Sequence, residues 1–282
     1  MFNLKEFIPL DKIVWHMLSA NPNAIRLLEQ NPGRINVCML WENPNAIHLI
    51  KQIPDKMDCE SLSDQTQKAR IYWYMLSSNP SAIHLLEQNL DKINWFILSS
   101  NPNAIHLLQQ NQTRINWYML SGNPSAIHLL KQNPARINWR KLSENPSAIH
   151  LLEQNPDKID WSRLSTNCNA IHLLEKNLDK IDWCKLSANP GAIHLLEKNL
   201  DKINWCRLSS NPNAIHLLEK NPDKIDWELL SNNPSIFEID YRALEERCCI
   251  YKWELLEVAL HPSRIEKYIV MGIEMGELHN YI

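Results

Sequence analysis

INWFILSSNPNAIHLLQQNQTR, residues 93–114, decides the fold, because close variants of the same 22 residues stand before and after it. Tryptophan recurs at 73, 95, 117, 139, 161, 183, 205 and 227, always 22 residues apart. Carried backwards across an eight-residue deletion, the frame reaches Cys59, Val37 and Trp15, so eleven units share it. A fixed period of this length is the signature of a solenoid, in which each unit contacts only its neighbours.

One unit predicts two short helices. Asn94 is a preferred N-cap residue, whose side-chain oxygen accepts from an orphaned backbone N–H at the start of a helix. Asn or Asp fills the same place at Asn36, Asp58, Asn116, Asn138, Asp160, Asp182, Asn204 and Asp226. Ile93 and Leu98 then have the spacing of a hydrophobic staple. A leading helix is expected from Trp95 to about Ser100. Asn101-Pro102 stops it, because the residue before proline is pushed out of the helical region. The same dipeptide opens a trailing helix to about Gln110, since proline is tolerated at the first helical position. Ala104, Ile105, Leu107 and Leu108 form its apolar stripe, with His106, Gln109 and Gln110 opposite.

Helices this short are not stable alone in water. The units must therefore fold by stacking, and the expected fold is all-α: an α-solenoid of stacked short helical hairpins with helical N- and C-terminal caps. The boundaries read as an N-terminal cap at 1–10, an eleven-unit solenoid at 11–234 and a C-terminal helical cap at 235–282. The unit at 59–72 is shortened. With helices about 8–10 Å apart, such an array would make a rod or arc on the order of 100 Å long. Its two ends would meet water.

The bulk chemistry excludes several classes. A net charge of -3 gives no global positive field for nucleic acid or an anionic membrane. No apolar run reaches the roughly 20 residues of a membrane span, and MFNLKEFIPLDK lacks the pattern of a signal peptide. The seven cysteines (38, 59, 168, 184, 206, 248 and 249) form no CxxC pair, which fits a reducing compartment and neither a disulfide framework nor a zinc site. An intracellular protein without a cofactor is expected.

Candidate chemistry lies in ladders. His48, His84, His106, His128, His150, His172, His194 and His216 recur once per unit, too far apart to share a metal with ligand bonds near 2 Å. They are read as structural, bonding to a neighbouring unit or to a Glu or Gln one turn on. The tryptophans, Trp73, Trp95, Trp117, Trp139, Trp161, Trp183, Trp205 and Trp227, are read as core. The chain contains none of GxGxxG, GKS/T, HExxH or GxSxG, so no catalytic residue is assigned.

A partner would be read by the variable positions after each tryptophan position. Met17, Met39, Tyr74, Met75, Phe96, Ile97, Tyr118 and Met119 are apolar, whereas Arg140, Lys141, Arg163, Lys185 and Arg207 are basic. On one face these would make an apolar half suited to a protein and a basic half suited to acidic groups.

The repeat NPxAIHLLEKNPDKINWxxLS, joined to a tail containing ELLEVALHPSRIEKYI, resembles the largely uncharacterised short-repeat proteins that giant nucleocytoplasmic DNA viruses of protists encode in many copies. The resemblance covers nearly the whole chain. It implies helical repeats and a viral origin, with a place in host cytoplasm or the virion, and transfers no site residues. The expected function is a non-enzymatic scaffold for a viral or host protein, with no membrane partner. The alternatives are single-stranded RNA binding through residues 140–207, or a structural, self-associating virion component.

Overall fold

The computed structural model describes residues 2–51, 73–259, 261, 262 and 264–266. The shortened unit expected at 59–72 and the end of the expected C-terminal cap, 267–282, lie outside these residues. The chain divides into two compact units, Leu4–Phe237 and Met1–Asn3 with Glu238–Ile282.

The larger unit is an all-α repeat array. Its leading helices are as short as expected: Trp95–Leu98 in one unit and Trp117–Ser121 in the next. Asn94 caps the first of these, its Oδ1 accepting from the Ile97 N–H at 3.2 Å. Asn36, Asn116, Asn138, Asp160, Asp182, Asn204 and Asp226 do the same for their own helices. The trailing segment begins as a 3-10 turn, Pro102–Ala104, and continues as an α-helix, Ile105–Gln110. A second 3-10 turn, Gln112–Arg114, leads to the next unit.

The core between the two helices is aliphatic. Leu98, Ala104 and Leu108 are completely buried, as are their equivalents Leu120, Ala126 and Leu130. The joint between units is polar and equally buried. Ser99 Oγ donates to the Trp95 carbonyl at 2.7 Å and accepts the Asn116 N–H at 2.9 Å. Asn123 donates through Nδ2 to the carbonyls of Ser99 at 3.1 Å and Asn101 at 2.9 Å. Its Oδ1 accepts from the Ser125 N–H at 3.0 Å. A buried amide is tolerated only when its hydrogen bonds are met, and here one side chain ties three backbone groups across two units.

This ladder corrects the expected open rod or arc. Its rungs are Asn21, Asn43, Asn79, Asn101, Asn123, Asn145, Asn167, Asn189, Asn211 and Asn233, ten among the described residues. The step from Asn43 to Asn79 is direct: Asn79 Nδ2 reaches the carbonyls of Trp41 at 3.0 Å and Asn43 at 3.3 Å. No separate rung therefore stands between them, and the described ladder has ten steps where eleven units were expected. The last rung then meets the first. Asn21 Nδ2 donates to the carbonyls of Ser231 at 3.1 Å and Asn233 at 2.9 Å, and the Val14 N–H donates to Ser231 Oγ at 2.9 Å. These are the bonds of an interior joint, so the array is a closed ring.

Closure also fixes which layer is inside. Leading helices of adjacent units pack directly on one another, Trp183–Ser187 on Trp205–Ser209, that on Trp227–Ser231, and Trp227–Ser231 on Trp15–Ser19. Trailing helices are linked by longer reaches, such as His106 Nε2 to Glu87 Oε1. In a closed ring the layer whose neighbours lie closer has the smaller circumference, so the leading helices line the inner wall.

The N-terminal cap is not the helix expected at 1–10. Phe2–Leu4 forms a strand, β1, which pairs with β2, Phe237–Ile239, in a two-stranded sheet. The Lys5 N–H donates to the Ile236 carbonyl at 2.9 Å. Alternation of apolar and polar residues in FNL and FEI suits a strand better than a helical stripe. After β2 comes one long helix, Tyr241–Ala259, in the expected C-terminal region.

Candidate interaction surface

The variable pair after each tryptophan position sits on the leading helix, hence on the inner wall. Its two members differ in exposure because they lie about 100° apart around the helix. The first points away from the core. Tyr74, Phe96 and Tyr118, in three successive units, are 42%, 48% and 41% exposed. The second is partly covered: Met17, Met39, Met75 and Met119 are half-buried. Ile97 is buried and packs in the core, which removes it from the candidate surface.

The basic members lie further round the ring, and most are engaged within it. Glu144 receives Lys141 Nζ at 2.6 Å and also pairs with Arg163 Nη1. Burial pushes the Glu144 carboxyl up, but the hydrogen bonds from Lys141 and Arg163 outweigh it and hold the group below its ordinary value. Arg140 Nε lies 3.5 Å from Asp160 Oδ2. Lys185 Nζ donates to Ser162 Oγ at 2.9 Å, and Ser162 Oγ donates to Asp182 Oδ2 at 2.7 Å. Arg207 is exposed, and only its backbone N–H is used, to cap on Asn204 Oδ1 at 2.9 Å. Sequence spacing did not reveal Glu144, because its position varies among Ala, Glu, Ser, Gly, Thr and Asn from unit to unit.

The tryptophan ladder differs from its expected role. Every indole from Trp73 to Trp227 is half-buried, and the fully buried places belong to Leu, Ala, Ser and Asn. A cation from the following turn covers the ring: Arg114 lies 5.2 Å from the Trp95 centroid, Lys180 4.4 Å from Trp161 and Lys224 4.3 Å from Trp205. The indole is too large for the narrow joint between units. It closes the rim instead, with its outer face under a guanidinium or ammonium. The signal was present in the sequence as Arg or Lys 19 residues after Trp15 and after each ladder tryptophan from Trp73 to Trp205.

Six of the ladder histidines bridge neighbouring trailing helices on the outer side, while His150 pairs with Gln154 one turn on in its own unit at 3.0 Å. His48 meets Glu29 at 3.1 Å, His106 meets Glu87 at 2.7 Å, and His172, His194 and His216 meet Glu153, Glu175 and Glu197 at 3.0, 2.7 and 2.9 Å. His128 bonds to Gln109 at 3.0 Å. Two findings concern the cysteines. Cys38 is disulfide-bonded, which the expectation of a reducing compartment did not include. Cys206 Sγ donates to Asp226 Oδ2 at 3.0 Å, and that hydrogen bond raises the thiol above its ordinary value.

The fold thus defines a closed helical-repeat ring with a variable inner wall. The family model described as periplasmic copper-binding protein (NosD) matches residues 62–238, more than half of the chain, and the chain belongs to that family. The matched residues coincide with most of the repeat array. Neither a curated protein nor a solved structure matches the chain. The family's description names copper, whose usual ligands are thiolate, thioether and imidazole, and the described residues do not fit it. Among them no group of three or more His, Cys, Asp or Glu could hold a metal ion. The imidazoles stand one per unit, those of His48, His106, His128, His150, His172, His194 and His216 against glutamates or glutamines, and Cys206 is held as a thiol. Among the described residues no helix is long and apolar enough to cross a membrane.

Proposed function

We propose that this protein is a non-catalytic interaction scaffold of viral origin that binds another protein through the inner wall of its ring. The observation that carries the reading is the row Tyr74, Phe96 and Tyr118, three aromatic side chains exposed at equivalent places in consecutive units. Half-buried Met17, Met39, Met75 and Met119 lie beside or before it. Aromatic residues and methionine are enriched at the centres of protein interfaces, and methionine adapts to irregular surfaces. Viral origin rests on the resemblance of the repeat and tail.

RNA binding is less well supported. A polyanion needs a continuous track of free cations, and Arg140, Lys141 and Arg163 are already paired with Asp160 and Glu144. The test is a photo-crosslinking side chain placed at Phe96 in the full chain, expressed during infection. Crosslinks to one protein, lost when the probe moves to the outer position Lys176, are the expected result. Crosslinks to RNA alone would overturn the reading.

A further inference from the structure

From the two unlike sectors of the inner wall we infer that the ring takes an amphipathic α-helix in its opening, with an apolar face on one side and acidic residues on the other. This rests on the protein-binding reading and names the kind of partner. Closure through the ten rungs of the described residues sets each of their units opposite the fifth one after it. Phe96 therefore faces the unit of Cys206 and Arg207 across the opening, and Tyr74 faces that of Cys184 and Lys185. Tyr118 faces that of Glu228 and Leu229.

Size argues for a helix. Ten leading helices about 8–10 Å apart form a circle roughly 25–32 Å across between opposite axes. Removing the inward half of each helix with its side chains, about 5–6 Å on either side, leaves an opening of about 13–22 Å. An α-helix is about 10–12 Å wide with side chains, so one helix and not two fits the opening, and at its narrower sizes long side chains reach both sectors.

Charge argues for acidity on its second face. On the wall from the Trp139 unit to the Trp205 unit stand Arg140, Lys141, Arg163, Lys185 and Arg207 against the single wall carboxylate Glu144. Lys141 and Arg163 share that carboxylate, and Arg140 leans on the cap Asp160. Lys185, held by a neutral hydroxyl, and the exposed Arg207 are left to meet a partner. Two cations opposite two aromatics match a helix carrying a few carboxylates opposite its apolar stripe. They do not match a long polyanion.

The experiment uses the full chain and a fluorescent peptide of about five helical turns with Leu on one face and Glu on the other. Its controls are a scrambled peptide, a peptide with Lys in place of Glu, an extended proline-interrupted peptide of the same apolar content, and oligo-U RNA. Anisotropy titrations should give saturable 1:1 binding of the Glu-faced helix, weaker by about tenfold or more for the scrambled and Lys-faced peptides. The combined variant Tyr74→Ala, Phe96→Ala, Tyr118→Ala, all at exposed positions, should lose about tenfold or more with an unchanged melting curve. Arg207→Glu should weaken the Glu-faced peptide and strengthen the Lys-faced one, a reversal that misfolding cannot produce. Equal binding of helical and scrambled peptides, or no effect of either variant, overturns the inference. If the extended peptide binds through the aromatic row and the helix does not, the helix is wrong while protein binding stands. If only RNA binds, both fail.

Discussion

Asn21 donates through Nδ2 to the backbone carbonyl of Asn233 at 2.9 Å, across 212 residues of chain. The same bond joins Asn123 to Asn101 at 2.9 Å, across 22 residues. The seam and the interior joints are therefore chemically equivalent. An open array would leave Asn21 at a solvated end, where its loss is nearly neutral. In the ring, Asn21→Ala strands two buried carbonyls and an N–H, as Asn123→Ala does. Each variant should lose about 1–3 kcal/mol in urea unfolding. A loss at Asn123 with none at Asn21 would show that the ring does not close in solution.

Two serines in neighbouring units separate buried from exposed polar roles. Ser121 Oγ donates to the Trp117 carbonyl at 2.7 Å and accepts the Asn138 N–H at 3.0 Å, with no exposed surface. Ser100 Oγ only bonds back to the Ile97 carbonyl at 2.8 Å and stays partly exposed. Ser121→Ala should cost about 1–3 kcal/mol by orphaning an amide. Ser100→Ala should change stability by less than about 0.5 kcal/mol. Equal effects in the two variants would remove the serine relay from the description of the joint.

The local helices were legible because their signals are local. Asn94 before Trp95 and Asn101 before Pro102 mark two starts and one stop, and the structure places each where the residues do. Closure was not legible in the same way, since curvature is the sum of small rotations that no single unit encodes. One clue was nevertheless present. Ser19 and Asn21 in the first unit and Ser231 and Asn233 in the last keep the joint residues of the interior, where water-facing ends would have replaced them. In the candidate surface, the run of aromatic and basic residues could be read. That Ile97 turns inward while Phe96 stays out, or that Glu144 neutralises Lys141 and Arg163, depends on packing between units.

The cation over the ladder indoles from Trp73 to Trp205 gives a test of the rim. Lys180 Nζ lies 4.4 Å from the Trp161 centroid, and Lys180 is itself exposed. Lys180→Ala should cost about 0.5–1 kcal/mol, with Lys180→Arg near neutral. A cycle with Trp161→Leu should show coupling between the two sites. A full effect of Lys180→Ala in the Trp161→Leu background would mean that the ammonium acts elsewhere.

Glu144 gives a dependence on pH with a definite sign. Its carboxyl is held below its ordinary value against the opposing effect of burial, because Lys141 and Arg163 bond to the charged form. A group whose pKa is depressed by folding adds stability that is fully present above its unfolded pKa, about 4.3 for glutamate. That contribution is lost as pH falls through the lower folded value. Glu144→Gln keeps the shape and removes the charge, so Lys141 and Arg163 then face a neutral amide. At pH 7 the variant should be less stable by about 1–3 kcal/mol in urea unfolding. The gap between the two proteins should close as pH falls below 4, where the wild-type carboxyl protonates in the unfolded chain and then in the ring. Comparing the pair cancels the other acidic groups, which titrate in both. A gap that stays constant from pH 7 to pH 3 would mean that Glu144 contributes shape alone. The two cations would then be free to meet a polyanion, which would restore the case for RNA.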